Sequence, residues 1–179
     1  MTQIIFTGQY EEQANLMKEK KIAPVSDGDK DYDLWLLLNR ARYAVYRARE
    51  LELRRYDLTP EQSQILFVIH GLKENPTPAV LARETFLKSH TISAIVSRME
   101  QKGLVEKTQD LDRKNQVRVS MTEKGEEAYQ LSSRRGPIHR VMSALSQDQR
   151  NQLVPVLEKI LFEANKEPGL NRHPLPTSD

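Results

Sequence analysis

A run of small polar side chains between residues 89 and 98 has the chemistry needed to contact DNA. Hydroxyl and imidazole groups can donate and accept hydrogen bonds at base edges, and a guanidinium pairs well with phosphate. Small side chains also let a helix backbone approach a base pair closely. The residues with this character are Ser89, His90, Thr91, Ser93, Ser97 and Arg98. We expect Arg98 to contact a phosphate and the others to contact phosphates or bases.

The apolar residues interleaved with this run predict the helix that would position it. They recur at the spacing i, i+3, i+4 and i+7, which places them on one face. At about 100° per residue, the polar side chains then occupy the opposite face. Ser89 is the predicted N-cap, and Gly103 predicts the end of the helix. The four apolar residues are Ile92, Ile95, Val96 and Met99.

Two short segments after this helix predict a β-hairpin with a basic tip. The apolar residues of its strands are Leu104, Val105, Val117, Val119 and Met121. The tip carries Arg113 and Lys114, and either cation could reach the minor groove next to a helix lying in the major groove. We favour Arg113, because a guanidinium makes several hydrogen bonds and suits a narrow, negative groove.

Further helices are predicted on both sides of this unit. A helical pattern over residues 31–55 is apolar around much of its circumference, which favours burial by a partner subunit as well as by the chain itself. Thr59 and Thr77 each precede a proline, the arrangement that starts a helix. Gly136-Pro137 breaks a later helix, and a capping box at Ser146 starts the last one.

Four segments of the chain occur in a recognisable order. They are LTPEQSQIL (58–66), the Leu81-Ala82 pair, MEQKGLVEK (99–107) and DLDRKNQVRVSMTEKG (110–125). Together with the helix order, they resemble the MarR (multiple antibiotic resistance regulator) family of winged-helix transcription factors over about residues 31–165. The resemblance implies a homodimer, palindromic DNA operators and frequent release by small, often aromatic ligands. One departure is that Asp112-Arg113-Lys114 lies one residue farther from Met121-Thr122 than the family pattern places it.

These observations predict a mainly α-helical chain with a small two- to three-stranded antiparallel sheet, arranged as a winged helix-turn-helix with flanking dimerisation helices. The expected parts are an N-terminal extension and linker (1–30), a first dimerisation helix (31–56), a DNA-binding lobe (57–122), C-terminal dimerisation helices (123–166) and a flexible tail (167–179).

Aromatic residues of the long helix and the next helix suggest a second site. They could line an effector pocket between the first helix and the DNA-binding lobe, or else lie in the core or the dimer interface. These residues are Trp35, Tyr43, Tyr46, Phe67 and His70. The six arginines of the long helical region are expected to be surface charge, with Arg54 and Arg55 as possible contacts to the DNA backbone. They stand at positions 40, 42, 47, 49, 54 and 55.

Composition argues against several other classes of protein. The 179 residues include no cysteine, which excludes disulfides, cysteine zinc sites and thiol switches. No apolar run approaches the roughly 18 residues of a membrane span, and the N-terminus lacks the pattern of a secretory signal, so we expect a cytoplasmic protein. The four histidines lack metal-ligand spacing, and we expect neither a metal nor a cofactor.

The sequence gives little support for an enzyme. It contains no glycine-rich phosphate loop, nucleophile elbow or His-x-x-x-His pair. We therefore predict a DNA-binding transcriptional regulator, most simply a repressor, and not an enzyme. The competing hypothesis is a winged-helix module that binds another protein and not DNA. Formal net charge does not separate the two, since it is only +2.

Overall fold

The computed structural model describes residues 28–110 and 116–167, which form α-helices and one antiparallel hairpin. The helices are α1 (Lys30–Leu53), α2 (Pro60–Gly71), α3 (Pro78–Thr85), α4 (Ser89–Gln101), α5 (Glu123–Ser132), α6 (Gly136–Met142) and α7 (Gln147–Ala164). The strands are β1 (Val105–Asp110) and β2 (Gln116–Met121). A short 3-10 turn, Arg54–Tyr56, follows α1. Three segments lie outside the described residues. They are the predicted extension before residue 28, the hairpin tip (111–115), called the wing tip below, and the tail beyond residue 167.

The chain divides into two compact units, residues 1–43 and 44–179, and α1 runs through the boundary. In the first unit, Tyr32 and Trp35 stack on each other with ring centroids 5.3 Å apart. Trp35 nevertheless remains 53% exposed, and Leu34, Leu37 and Leu38 are also exposed. This stretch of α1 therefore carries apolar side chains that are exposed in the described part of the chain. No helix within the described ranges is long and apolar enough to cross a membrane.

Local capping chemistry starts three helices where the sequence predicts. The Thr59 hydroxyl accepts a hydrogen bond from the Gln62 amide, and the Gln62 side chain accepts one from the Thr59 amide, forming a capping box at α2. Thr77 caps α3 in the simpler way, by accepting from the Val80 amide. Ser146 forms a second capping box at α7. Each cap satisfies backbone amides that a helix start would otherwise leave without a partner.

The start of α4 differs from the prediction by one residue. Lys88 is the N-cap, with extended backbone angles and no side-chain capping bond, and the Ile92 amide donates to its carbonyl at 3.0 Å. Ser89 is therefore the first helical residue, and its predicted role as N-cap is wrong. The first hydrogen-bonded turn closes on the carbonyl of Lys88, so the hydroxyl of Ser89 has no capping geometry.

The apolar face of α4 lies in the core of the second unit, as its spacing predicts. The four residues of this face are at most 8% exposed: Ile92, Ile95, Val96 and Met99. They pack in one cluster with Leu66 of α2, Leu81 of α3 and Val119 of β2. Burying an aliphatic side chain of this size contributes about 1.5–3 kcal/mol, so the rotation of α4 about its axis is strongly constrained.

The hairpin has two strands in the described part of the chain, within the predicted range of two to three. Val105 pairs with Met121 at its base and Asp110 with Gln116 at its outer end. The Val119 amide donates to the carbonyl of Pro76 at 2.9 Å, which ties β2 to the loop before α3. The hairpin is thus anchored to the helices at its base.

A tight backbone junction joins the end of α4 to the start of α5. Gly103 ends α4 with a φ of +70°, a conformation that favours glycine. The hydroxyl of Thr122 donates to the Gly103 carbonyl at 2.6 Å, and its amide donates to the Leu104 carbonyl at 3.2 Å. At Gly125, a Cβ would lie 2.0 Å from the carbonyl oxygen of Leu104. Only glycine lets these two backbone segments approach so closely.

The Gly125→Ala substitution should destabilise the protein by about 3 kcal/mol, because the added methyl meets backbone oxygen that cannot rotate away. Urea-induced unfolding followed by circular dichroism measures the change. Gly71→Ala is the matched control, since a Cβ there meets nothing within 4 Å, and it should alter stability by less than about 1 kcal/mol. Equal unfolding midpoints for the two variants would contradict the close approach at Gly125.

The helices α5 and α6 are separate, as the break predicted at Gly136-Pro137 requires. The last residue of α5 is Ser132 and the first of α6 is Gly136, with Pro137 in the first turn of α6. Neither α6 nor α7 contains a buried residue. Pro155 lies inside α7, as the sequence predicts. These two helices expose a long series of apolar side chains: Val141, Met142, Leu153, Val154, Val156, Leu157, Ile160 and Phe162.

Candidate nucleic-acid interface and adjoining pocket

The outer face of α4 carries the polar side chains of the predicted DNA-binding set. Four of them are exposed: Ser89, His90, Ser93 and Arg98. Thr91 and Ser97 are partly buried on the flanks of this face. The hydroxyl of Ser93 donates to the carbonyl of Ser89 at 3.1 Å, so its oxygen can still accept. The helix therefore presents hydroxyl, imidazole and guanidinium groups on one side while its other side fills the core.

A lysine on β1 links the hairpin to this face. The ammonium of Lys107 lies 2.7 Å from the Oε2 atom of Glu100 and donates to the hydroxyl oxygen of Ser97 at 3.2 Å. Both partners lie near the C-terminal end of α4. One cation thus neutralises a carboxylate and holds a hydroxyl of the candidate interface.

An arginine on β2 links the other side of the hairpin to the loop before α3. The Nε atom of Arg118 lies 3.2 Å from Oδ2 of Asp110, and its Nη1 atom donates to the carbonyl of Asn75 at 2.9 Å. Its side chain is only 17% exposed. Arg118 therefore bridges the hairpin to the body of the unit, and its charge is neutralised within the protein.

A buried arginine near the end of α1 connects three helices. Arg49 forms an ion pair with Glu52, and its Nη2 atom donates to the Ser63 hydroxyl at 3.0 Å and to the Ser132 carbonyl at 2.6 Å. Glu52 in turn accepts a hydrogen bond from the Gly136 amide at 2.9 Å. Removing one member of a buried pair typically costs about 3–5 kcal/mol, because the other charge is left without a partner.

The prediction that Arg49 is surface charge is therefore wrong, since only 8% of the residue is exposed. Its burial is possible because carboxylate, hydroxyl and carbonyl oxygens receive its donors. These partners come from α1, α2 and α5, and two of them are far from Arg49 in the sequence. Helical spacing in α1 alone does not reveal them.

An open pocket of about 230 Å³ adjoins the Arg49 network. Phe67, Tyr129 and Ile138 contribute aromatic and aliphatic surface to its lining. Arg49 and Arg135 also line it, and the guanidinium of Arg135 lies 4.6 Å from the centre of the Phe67 ring. A concave site with apolar walls and a few polar groups suits a small organic molecule.

The aromatic residue Tyr129 connects this pocket to α2 through His70. Their rings stack with centroids 4.0 Å apart, and Nδ1 of His70 lies 3.5 Å from Oε2 of Glu126. Tyr46 makes a separate contact, donating its hydroxyl hydrogen to Oε1 of Glu61 at 2.6 Å. The walls of the pocket are thus joined to α1, α2 and α5 by side-chain contacts.

Comparison with known proteins shows which proteins this chain resembles. The model of the MarR family matches residues 56–114, which extend from the turn after α1 into the hairpin. The transcriptional regulator SarZ of Staphylococcus saprophyticus is 29% identical over 75 residues, which are 42% of this chain. That match spans about half of the relative, 51% of its length.

Solved structures share the fold over a larger part of the chain. The organohalide-sensing regulator RdhR-CbdbA1625, in its 2,4-dichlorophenol-bound form, is 27% identical with a TM-score of 0.74, covering 86% of this chain and 92% of that one. A mutant E. coli MarR complexed with operator DNA is 21% identical with a TM-score of 0.69, covering 76% and 99% of the two chains. The chain is therefore similar to MarR-family regulators over residues 56–114 and in its fold. The resemblance predicted from the sequence is confirmed, as is the mainly helical winged-helix fold.

In this chain, the predicted DNA-binding residues fall into two groups. The six residues of α4 lie together on or beside its outer face. Arg113 and Lys114 lie outside the described residues, between the last residue of β1 and the first of β2. The direct roles of all eight residues stay predictions. MarR-family proteins are transcription regulators and not enzymes.

The predicted pocket residues are more dispersed. Phe67 lines the pocket, and His70 stacks on the pocket residue Tyr129. Tyr46 is not among the lining residues in the described part of the chain and instead bonds to Glu61. Trp35 and Tyr43 belong to the first unit and are more than half exposed there.

The contacts of three residues at the site were not predicted from the sequence: those of Lys107, Arg118 and Arg49. Each joins elements whose distance depends on how helices and strands pack. The run MEQKGLVEK contains both Glu100 and Lys107, but a helix end, a turn and a strand start separate them. Periodicity describes one element at a time, so it provides no signal for pairs of this kind.

Proposed function

We propose that this chain is a cytoplasmic, sequence-specific transcriptional repressor that binds near-palindromic operators as a homodimer and is released by a small aromatic ligand. The observation that carries the proposal is the outer face of α4, where hydroxyl, imidazole and guanidinium groups lie opposite a fully packed apolar face. The fold shared with E. coli MarR, solved with operator DNA, supports it.

In this proposal α4 enters the major groove. Ser89, His90, Thr91, Ser93 and Ser97 meet base edges or phosphates, and Arg98 pairs with a phosphate. Arg113 or Lys114 reaches the adjacent minor groove from the hairpin tip. Two copies of α4 in a dimer would enter successive major grooves about 34 Å apart, which requires a site with twofold symmetry.

Salt-titrated binding to DNA tests this function. The protein should bind a fluorescent random-sequence duplex at low salt, with affinity falling steeply as salt rises, because cationic side chains displace counterions from phosphates. Arg113→Ala should weaken binding and reduce the slope of log affinity against log salt by about one. Arg134→Ala, which removes an exposed arginine after α5, is the matched control and should leave both quantities nearly unchanged.

Fragments of genomic DNA selected by the protein would then supply an operator for measuring specificity. A protein-interaction module, the competing function, should show negligible affinity for either duplex at any salt concentration. If Arg113→Ala bound DNA with unchanged affinity and an unchanged salt slope, the proposed role of the wing tip in DNA binding would be contradicted. The proposed role of α4 would not be affected.

The exposed apolar surface of α7 supports the homodimer. Four of its apolar residues follow the spacing of one helical stripe, and monomeric proteins rarely expose a contiguous patch of this kind. These residues are Leu153, Val156, Leu157 and Ile160. Within the first unit, apolar residues of α1 are exposed as well.

The Leu157→Glu substitution should convert the dimer to a monomer, since it would bury a carboxylate in an apolar interface without a partner. Light scattering after size-exclusion chromatography should give twice the chain mass of 20.7 kDa for the wild type and that mass for the variant. Asn151→Glu, on the opposite side of α7, should remain dimeric. A wild-type protein with the mass of a single chain would contradict the proposed dimer.

The pocket beside Arg49 supports release by a small ligand. The related regulator RdhR-CbdbA1625 was solved with 2,4-dichlorophenol, and this chain combines the Phe67 and Tyr129 rings with two guanidinium groups at its pocket. Aromatic walls favour an aromatic ring, and guanidinium groups favour a hydroxylate or carboxylate on it.

The Ile138→Trp substitution should fill the pocket and abolish ligand binding while leaving DNA affinity unchanged. Calorimetric titration with 2,4-dichlorophenol and with a set of small phenols and aromatic acids measures ligand binding directly. Leu131→Trp adds the same side chain at an exposed position of α5 that does not line the pocket, so it should bind ligand like the wild type. A ligand that binds both variants equally occupies some other site.

A further inference from the structure

We propose that Lys107 is a positioning residue for DNA binding, acting through Glu100 and Ser97 and not through its own contact with DNA. This inference rests on the proposed DNA-binding function and adds a residue to it. Lys107 lies on the hairpin, outside the helix that presents the predicted DNA contacts. Its ammonium is nevertheless within 3.2 Å of the Ser97 hydroxyl and 2.7 Å of the Glu100 carboxylate.

The position of Glu100 explains why it needs a partner. Glu100 follows Ser97 by three residues and Ser93 by seven, so all three occupy one flank of α4 beside its outer face. The Glu100 side chain is 42% exposed. When this face approaches DNA, an unpaired carboxylate on the flank would be repelled by phosphates. The Lys107 ammonium cancels that charge within the protein.

The contact with Ser97 determines how this hydroxyl can be used. A serine hydroxyl has one hydrogen to donate and two lone pairs that accept. Because Lys107 donates to its oxygen, the Ser97 hydroxyl hydrogen is directed elsewhere. It can donate to an acceptor on a base edge, such as N7 or O6 of guanine, or to a phosphate oxygen. Lys107 therefore favours Ser97 as a donor at the interface.

The same geometry argues against Lys107 as a direct phosphate ligand. Its side chain is 30% exposed, and its ammonium already has two oxygen partners. Turning to a phosphate would separate it from Glu100 and expose the carboxylate beside the DNA. Exchanging the Glu100 carboxylate for a phosphate would therefore add little binding free energy. The intact Lys107–Glu100 pair instead presents a neutral flank to the DNA.

A double-mutant experiment distinguishes the two roles. Wild type, Lys107→Met, Glu100→Gln and the double variant are titrated with operator DNA selected by the wild-type protein, and with a random duplex. Lys107→Met should weaken operator binding about tenfold, since it leaves Glu100 charged and alone. The double variant should return to within about threefold of the wild type, because its flank is neutral again. Lys107→Arg should retain wild-type affinity.

Two results would overturn the proposal. A double variant as weak as Lys107→Met would mean that the ammonium contacts DNA itself, and undiminished binding by Lys107→Met would mean that it has no role. The control is Lys166→Met combined with Glu163→Gln, which removes another lysine–glutamate pair at the end of α7. It should change the affinity neither for the operator nor for the random duplex. Circular dichroism and dimer mass should be the same for all variants, so that a lost fold is not mistaken for lost binding.

The titration of the wild-type protein separates this inference from the proposed DNA-binding function on which it rests. If the wild type binds no duplex, DNA binding itself is contradicted. If it binds and Lys107→Met binds equally well, only the role of Lys107 is contradicted.

Discussion

Burial of the apolar face of α4 constrains the rest of this structure. Ile92, Ile95, Val96 and Met99 enter the core together, so the helix cannot rotate without exposing several of them to water. Its other face must then carry whatever polar residues the sequence places between them. The surface proposed to meet DNA is thus held in orientation by packing on the opposite side of the same helix.

The hairpin is held relative to this helix by polar contacts that do not depend on the wing tip. The backbone junction at Gly103 and Gly125 joins the end of α4 to the start of α5, with the hairpin between them. Lys107 links β1 to α4, and Arg118 links β2 to the loop before α3. These contacts fix the two strands relative to α4.

The Arg49 network joins the end of α1 to the helices that surround the proposed ligand pocket. A buried ion pair gains little net stability, but its hydrogen bonds are directional and define one arrangement of its partners. Here those partners lie in α2, α5 and the start of α6. Arg49 also lines the pocket, so the network and the pocket share a residue.

Much of the fold follows from signals that act within a few residues. Helical periodicity predicts the buried face of α4, and threonine and serine caps predict the starts of α2, α3 and α7, because such hydrogen bonds close within one turn. The Ser89 cap prediction was wrong because the first turn of α4 closes on the carbonyl of Lys88. The buried Arg49, the Lys107–Glu100 pair and the close approach at Gly125 depend on which elements pack together. Their energies arise between segments distant in the chain, where neither spacing nor propensity specifies a neighbour, and so three-dimensional packing alone established them.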